Sequence, residues 1–232
     1  MATLLFISDD MARYVILWLL LVCVVEITIA QGNSDYVMMM TNQKQALKTA
    51  VTEKDFAELA VNFERIASTA MDKWHPLYYA ALCWINKSFV GAENAVKDVD
   101  LDNAQKFIDK ALEMYPEESE LLVLQGLVYQ GRIQIDPIKR GKDFSLKANL
   151  VLKKAAEIDP ENPRAYYLQG LNILHTPKMF GGGPDAACPL LEKANEKFAE
   201  HIPENILSPS WGGEECYNLY QEKCAKTEKT EK

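Results

Sequence analysis

The sequence predicts an all-α fold built from repeated pairs of helices, and three residue series that recur at a spacing of 44 carry the prediction. The first is a small-large-small-proline series: Ala104, Ile108, Ala111, Pro116 returns as Ala148, Leu152, Ala155, Pro160, with a degraded copy at Ala60, Glu64, Ala67, Asp72. Apolar or aromatic pairs keep step with it at Tyr78/Tyr79, Leu122/Val123 and Tyr166/Tyr167. The third series is Leu82, Gly126 and Gly170. Self-similarity at a fixed period marks a supersecondary unit used several times, because one unit cannot cover its own apolar face and stacks on its neighbour.

Each period divides into two helical segments. Asn162 ahead of Pro163 reads as a cap and a first-turn proline, and an apolar-rich helix continues from Arg164 to Leu174. Its counterparts run from about Pro76 to Phe89 and from about Glu117 to Gln134. The second segments are Asp102 to Tyr115, Phe144 to Ile158 and Asp185 to Glu200. In each of these an alanine, a large apolar residue and another alanine fall at i, i+4 and i+7, which is one stripe of a helix. The alanines allow a neighbouring backbone to approach, while Ile108, Leu152 and Leu191 fill the space between them. Gly126 and Gly170 lie inside the first helices, where glycine costs about 1 kcal/mol relative to alanine. A repeated cost of that kind points to close crossing by the paired helix.

Upstream, Asn42 to Thr52 and Asp55 to Ser68 are expected to form an opening pair, with Asp55 and Glu58 as a capping box. Downstream, Trp211-Gly212-Gly213 precedes a helix from Glu214 to Ala225 with Cys216, Leu219, Tyr220 and Lys223 on one side. Stacked repeats need such a terminal helix to cap the last apolar face.

These motifs resemble the tetratricopeptide repeat family. The matching residues are Tyr129 three positions after Gly126 and the two Ala-large-Ala-Pro sets, over about residues 56 to 199. The resemblance implies a right-handed superhelix of α-α hairpins over 36–225, closed by the C-terminal capping helix. It also implies that the first helices line a concave side. Tyr79, Val123, Leu127, Tyr167 and Leu171, beside the packing stripe, are then the candidate binding residues. The family unit is about 34 residues long. Each period here therefore carries about ten more, at Gly91 to Leu101 and Ile133 to Asp143, which lengthen either the helices or the joins.

The stretch Pro177-Lys178-Met179-Phe180-Gly181-Gly182-Gly183-Pro184 interrupts the pattern. A phosphate loop would need a preceding strand and a Gly-Lys-Ser/Thr ending, and neither exists. Phe180 is expected to anchor a turn, with glycines at positive φ and Pro184 opening the next helix. Phe180 is also a candidate ligand contact, since binding residues concentrate on loops. Together with Pro209-Ser210-Trp211-Gly212, the stretch resembles exported Bacteroidota-type tetratricopeptide repeat proteins of unassigned activity, over residues 163 to 225. In the same unit, Ala187, Leu191, Ala194 follows its predecessor by 39 residues rather than 44.

Of the 232 residues, 48% are apolar and 25% charged, the composition of a folded chain of one or two domains. The net charge is -8, and -6 without residues 1–30, because Asp9, Asp10 and Glu26 leave with Arg13. Such a surface repels phosphate, which argues against a nucleic-acid partner. Residues 1–30 read as a targeting segment: Arg13, an apolar run from Tyr14 to Val25, then Thr28-Ile29-Ala30 as small residues for a peptidase. Export to the periplasm or cell envelope follows. An uncleaved N-terminal anchor is the alternative, and membrane contact is expected only in that case. The tail 226–232 is polar and expected to fray.

Cys83, Cys188, Cys216 and Cys224 remain after that segment, and four thiols allow three pairings. Cys216 and Cys224 lie about 12 Å apart along a helix axis, too far to bridge each other. No CxxC occurs, and the scattered His75, His175 and His201 have no metal-ligand spacing, so no metal or other cofactor is expected.

No histidine has an evident cysteine or serine partner, and Glu117-Glu118 and Glu214-Glu215 read as solvated pairs, so an enzyme is not expected. The groove residues are aromatic and aliphatic. They lack the Lys and Asn that peptide-binding members of the family present to a terminal carboxylate. Such a groove suits an amphipathic helix or a hydrophobic small molecule. The leading expectation is a non-enzymatic exported protein that binds a partner protein or peptide in its concave groove. The alternative is a small-molecule-binding accessory of envelope transport. A third possibility is that the terminal helix fills the groove with Tyr217, Leu219 and Tyr220.

Overall fold

The computed structural model describes residues 34–70 and 72–225. The expected targeting segment 1–30 and the tail 226–232 lie outside the described residues. Within them the chain is all-helical: α1 (34–47), α2 (Glu53–Thr69), α3 (His75–Val90), α4 (Asn94–Met114), α5 (Ser119–Ile135), α6 (Pro137–Ile158), α7 (Pro163–His175), α8 (Pro184–Glu200) and α9 (Gly213–Lys223). One 3-10 turn, Lys178–Phe180, separates α7 from α8, and there is no strand among the described residues. Nor is any helix there long and apolar enough to cross a membrane.

Short joins fold consecutive helices back on each other, so α3 packs with α4, α5 with α6 and α7 with α8. Helices α3, α5 and α7 also touch in turn and form an inner layer, while α2, α4, α6 and α8 cover it. One continuous core runs from Tyr36 to Leu207 between these layers. A smaller cluster around Leu191, Cys216 and Cys224 seals the end under α9.

The recurring stripe is where the layers meet. All of Ala104, Ile108, Ala111, Ala148, Leu152, Ala155, Ala187, Leu191 and Ala194 are fully buried. A Cβ on Gly126 would lie 2.6 Å from Leu152 Cδ2, and one on Gly170 would lie 2.8 Å from Leu191 Cδ2. Each inner-helix glycine thus accepts the large residue of the outer stripe. The degraded copy shifts by one position: Glu64 is exposed and Phe63 takes the buried place between Ala60 and Ala67.

The extra residues of each period lengthen helices rather than joins. Helix α4 has 21 residues and α6 has 22, and α5 and α6 are separated only by Asp136. The added turns are tied down. Leu101 is fully buried, Asp100 accepts from Lys87 Nζ at 2.7 and 2.8 Å, and Asp98 is bound by Arg132 at 3.1 Å and Arg140 at 2.8 Å. The Arg140 hydrogen bond holds the Asp98 carboxyl below the usual range.

Caps differ in detail from expectation. Asn162 accepts from Arg164 N with Pro163 in the first turn, as its sequence suggests. The capping box of α2 is formed by Thr52 and Asp55, not Asp55 and Glu58, because the helix begins at Glu53 and puts Asp55 in its third position. The opening helix lies at 34–47, upstream of the expected Asn42 to Thr52. After α7, Gly181 and Gly183 take φ of 81° and 100°, and Pro184 opens α8. Phe180 anchors nothing there: it is 69% exposed. A disulfide joins Cys188 to Cys224 and fastens the end of α9 to the start of α8, while Cys83 and Cys216 are buried thiols.

Candidate functional site

The inner layer presents one or two side chains per helical turn to a cavity of about 780 Å³. Helix α3 supplies Tyr79, Leu82, Asn86 and Phe89; α5 supplies Leu127, Gln130, Ile133 and Gln134; α7 supplies Tyr167, Leu168, Leu171, Asn172 and His175. Lys44 and Leu47 of α1 and Lys48 just after it form a side wall. Ser210, Trp211, Gly212 and Glu215 of α9 complete the lining.

The closing residues belong to the segment between α8 and α9, which crosses the inner face and is held by polar contacts with three helices. Lys44 Nζ donates to the carbonyls of Ile206 at 2.5 Å and Ser208 at 2.8 Å. The Tyr79 hydroxyl donates to Leu207 O at 2.8 Å, and the Trp211 indole N–H donates to the Tyr78 hydroxyl at 2.8 Å. Beneath them lies a buried ion pair: Arg164, 1% exposed, and Glu120, 8% exposed, with Nε at 2.8 and 3.0 Å from the two carboxylate oxygens. Arg164 Nη1 also donates to Trp211 O at 3.2 Å, and the Tyr78 hydroxyl donates to Glu120 at 3.3 Å. A charge this deep is tolerated only because every partner is in place. Gly212 makes the last bend at φ 97°, where a Cβ would meet Phe198 at 3.1 Å.

Burial controls protonation around the cavity. It is the main cause that raises Tyr78 and Tyr79, and it pushes Tyr167 up to about 12, so all three remain neutral phenols near neutral pH. Lys44 is lowered to about 8 by burial and by Lys48. Burial alone would lower Arg164, but the Glu120 carboxylate outweighs it and holds the guanidinium above its ordinary value.

Four of the residues singled out from the sequence, Tyr79, Leu127, Tyr167 and Leu171, line the cavity together. Val123 does not: it is 0% exposed, turned into the core beside the outer layer. Phe180 is absent from the lining and stands on the exposed turn after α7. Helix α9 does not fill the groove either. It packs on α8, leaves Tyr217 exposed, and reaches the cavity only through Glu215. Leu207 and Trp211, upstream of it, take that place. The missed residues Asn86, Phe89, Gln134 and His175 lie one to three turns beyond the expected ones on the same faces, so helical stepping could have found them. Segment 201–212 has no periodicity and left no such signal.

No protein-family model and no curated protein matches the chain. Among solved structures, the HusA haemophore from Porphyromonas gingivalis matches with a TM-score of 0.76 and 31% sequence identity, over 83% of this chain and 94% of that one. This overturns the expectation of a protein or peptide partner, because the similar structure is a haemophore. The physical reason lies in the groove. Segment 201–212 lies across part of it, and the half-open pocket that remains has small-molecule volume, within the usual range of about 300–1,000 Å³. With this identity over nearly the whole of the solved chain, the protein belongs to the family of the HusA haemophore.

Proposed function

We propose that the chain is a non-enzymatic carrier that binds haem in the cavity between α3, α5, α7 and segment 201–212. The observation that carries this reading is the coincidence of two facts. The chain matches a haemophore over 94% of that protein's length, and the inner face forms a half-open cavity of about 780 Å³ walled by Tyr79, Phe89, Leu127, Tyr167, Leu171 and Trp211. A planar, largely apolar macrocycle is the kind of ligand such walls desolvate well. The reading agrees with a small-molecule accessory of envelope transport and replaces the peptide-binding one. His175 supplies a nitrogen donor at the cavity, whereas Tyr167 near 12 is a poor phenolate ligand.

Export fits a carrier of this kind and rests on the sequence of residues 1–30. A right-handed, tetratricopeptide-like stack is the architecture we assign to the hairpins, supported by the 44-residue recurrence.

The test is a haem titration of the purified chain, followed by its absorbance change. Saturable binding at one haem per chain is expected. Leu171→Glu, which puts a carboxylate into the apolar wall, should weaken it by about tenfold or more. Absence of saturable binding to the folded wild-type chain would overturn the proposal.

A further inference from the structure

The charges around the cavity are separated by wall. Lys44, in the last turn of α1, and Lys48, just past its end, both line it, whereas the acidic side chain among the lining residues, Glu215, comes from α9. Glu215 belongs to the Tyr167 side, where its charge helps to raise that phenol. The remaining lining from α3, α5 and α7 is aliphatic, aromatic, amide or imidazole. In a chain with a net charge of -8, two adjacent lysines at an apolar cavity stand out, and neither has an ion-pair partner among the described residues.

Lys44 is also held in place. Its ammonium donates to Ile206 O and Ser208 O and lies 5.3 Å from the centre of the Tyr79 ring. Two carbonyls leave a third N–H of the ammonium for another acceptor. Lys48 sits close enough to disfavour the Lys44 charge. A pair of like charges at the edge of a low-dielectric cavity is relieved by an anion bound between them.

We propose that Lys44 and Lys48 form the carboxylate-binding edge of the cavity, so that the tetrapyrrole enters with its two carboxylates toward α1 and away from Glu215. The inference rests on the haem reading and adds to it an orientation and a specificity: the preferred ligand is a macrocycle carrying anionic carboxylates on one edge. The apolar lining, Leu127, Tyr167 and Leu171 among it, is then left for the ring. Charge-assisted hydrogen bonds to the carboxylates discriminate against a ligand in which they are masked.

The experiment compares haem with haem dimethyl ester, which has the same ring and iron but no carboxylate charge, on the wild-type chain and on Lys48→Met. Wild type is expected to prefer the diacid by about tenfold or more. Lys48→Met should weaken haem and leave the diester unchanged, so that the preference shrinks. Lys44→Met should do the same, but it also removes the contacts to segment 201–212. Lys48, which has no hydrogen bond to that segment, therefore carries the test. Equal affinity of wild type for the two ligands, or equal weakening of both by Lys48→Met, overturns the carboxylate edge and leaves the haem reading standing. Failure of both ligands to bind the folded chain overturns the two together.

Discussion

Replacing Gly126 by alanine should destabilise the protein, although alanine is the better helix former. In an exposed helix the change would stabilise by about 1 kcal/mol. At Gly126 the new methyl would lie 2.6 Å from Leu152 Cδ2 and 2.7 Å from Leu152 Cγ, well inside van der Waals contact. Leu152 is 0% exposed and sits between Ala148 and Ala155 on the α6 stripe, so it has no free volume into which to turn. Overpacking of this kind costs about 1–3 kcal/mol, and two crossing helices must part to relieve it. The net effect expected for Gly126→Ala is a loss of about 1–2 kcal/mol after the propensity gain. Leu152→Ala alone should lose about 2–5 kcal/mol by leaving a cavity. In that background the clash is gone and the added methyl fills part of the void, so Gly126→Ala becomes neutral or stabilising. The double-mutant cycle, read by urea unfolding, should therefore show coupling of about 1–3 kcal/mol between the two sites. Gly141 within α6 is the control: a Cβ there meets nothing within 4 Å, so Gly141→Ala should stabilise. The reasoning fails if Gly126→Ala has the same effect in both backgrounds, or if it stabilises the wild type as Gly141→Ala does.

Three further outcomes follow from the structure. Reduction of Cys188–Cys224, which closes 36 residues of chain, should lower unfolding stability by about 3–4 kcal/mol; an unchanged melting temperature with both thiols titrated free would contradict this. Arg164→Met should cost about 3–5 kcal/mol by stranding buried Glu120, while Arg164→Met with Glu120→Leu should cost much less. Trp211 emission should shift red in the single variant, since segment 201–212 loses an anchor. Burial, with smaller contributions from Lys44 and Lys73, lowers His75 from 6.5 to about 4. The unfolded chain therefore takes up this proton first, and stability is lost as pH falls from 6.5 toward 4. His75→Phe keeps a ring against Trp74 and cannot titrate, so its melting temperature should fall less than that of wild type over the same window.

The stripes were legible because helical packing writes itself into period. Alanines at i and i+7 around a large residue, and a glycine on the facing helix, have few uses other than a close crossing, and all nine stripe positions of the three second helices are fully buried. The inner-face residues were legible for the same reason, since Tyr79, Leu127, Tyr167 and Leu171 share a spacing relation with those stripes. Val123 was misplaced because it shares that relation with Tyr79 and Tyr167, yet the part of α5 that lines the cavity begins one turn later, at Leu127, and Val123 is buried in the core. The Ala-stripe spacing also could not say whether ten extra residues extend a helix or a loop. Buried Leu101 and the pairs Lys87–Asp100 and Asp98–Arg140 decide that, and their partners lie on other helices.

By itself, then, the sequence determined the all-helical class, the pairing of helices, the glycine crossings and part of the aromatic inner wall, Tyr79 and Tyr167, because each depends on neighbours a few residues apart on one helix. Only the tertiary structure decided that a groove becomes a cavity. That closure depends on Tyr79 reaching Leu207, Lys44 reaching Ser208 and Trp211 reaching Tyr78, contacts separated by 128, 164 and 133 residues. Such contacts leave no periodic trace, because the segment that makes them is irregular and its hydrogen bonds are shared among α1, α3 and α7. The same crossing narrows an inner face fit for a peptide to a half-open pocket of small-molecule volume, with two lysines in its lining.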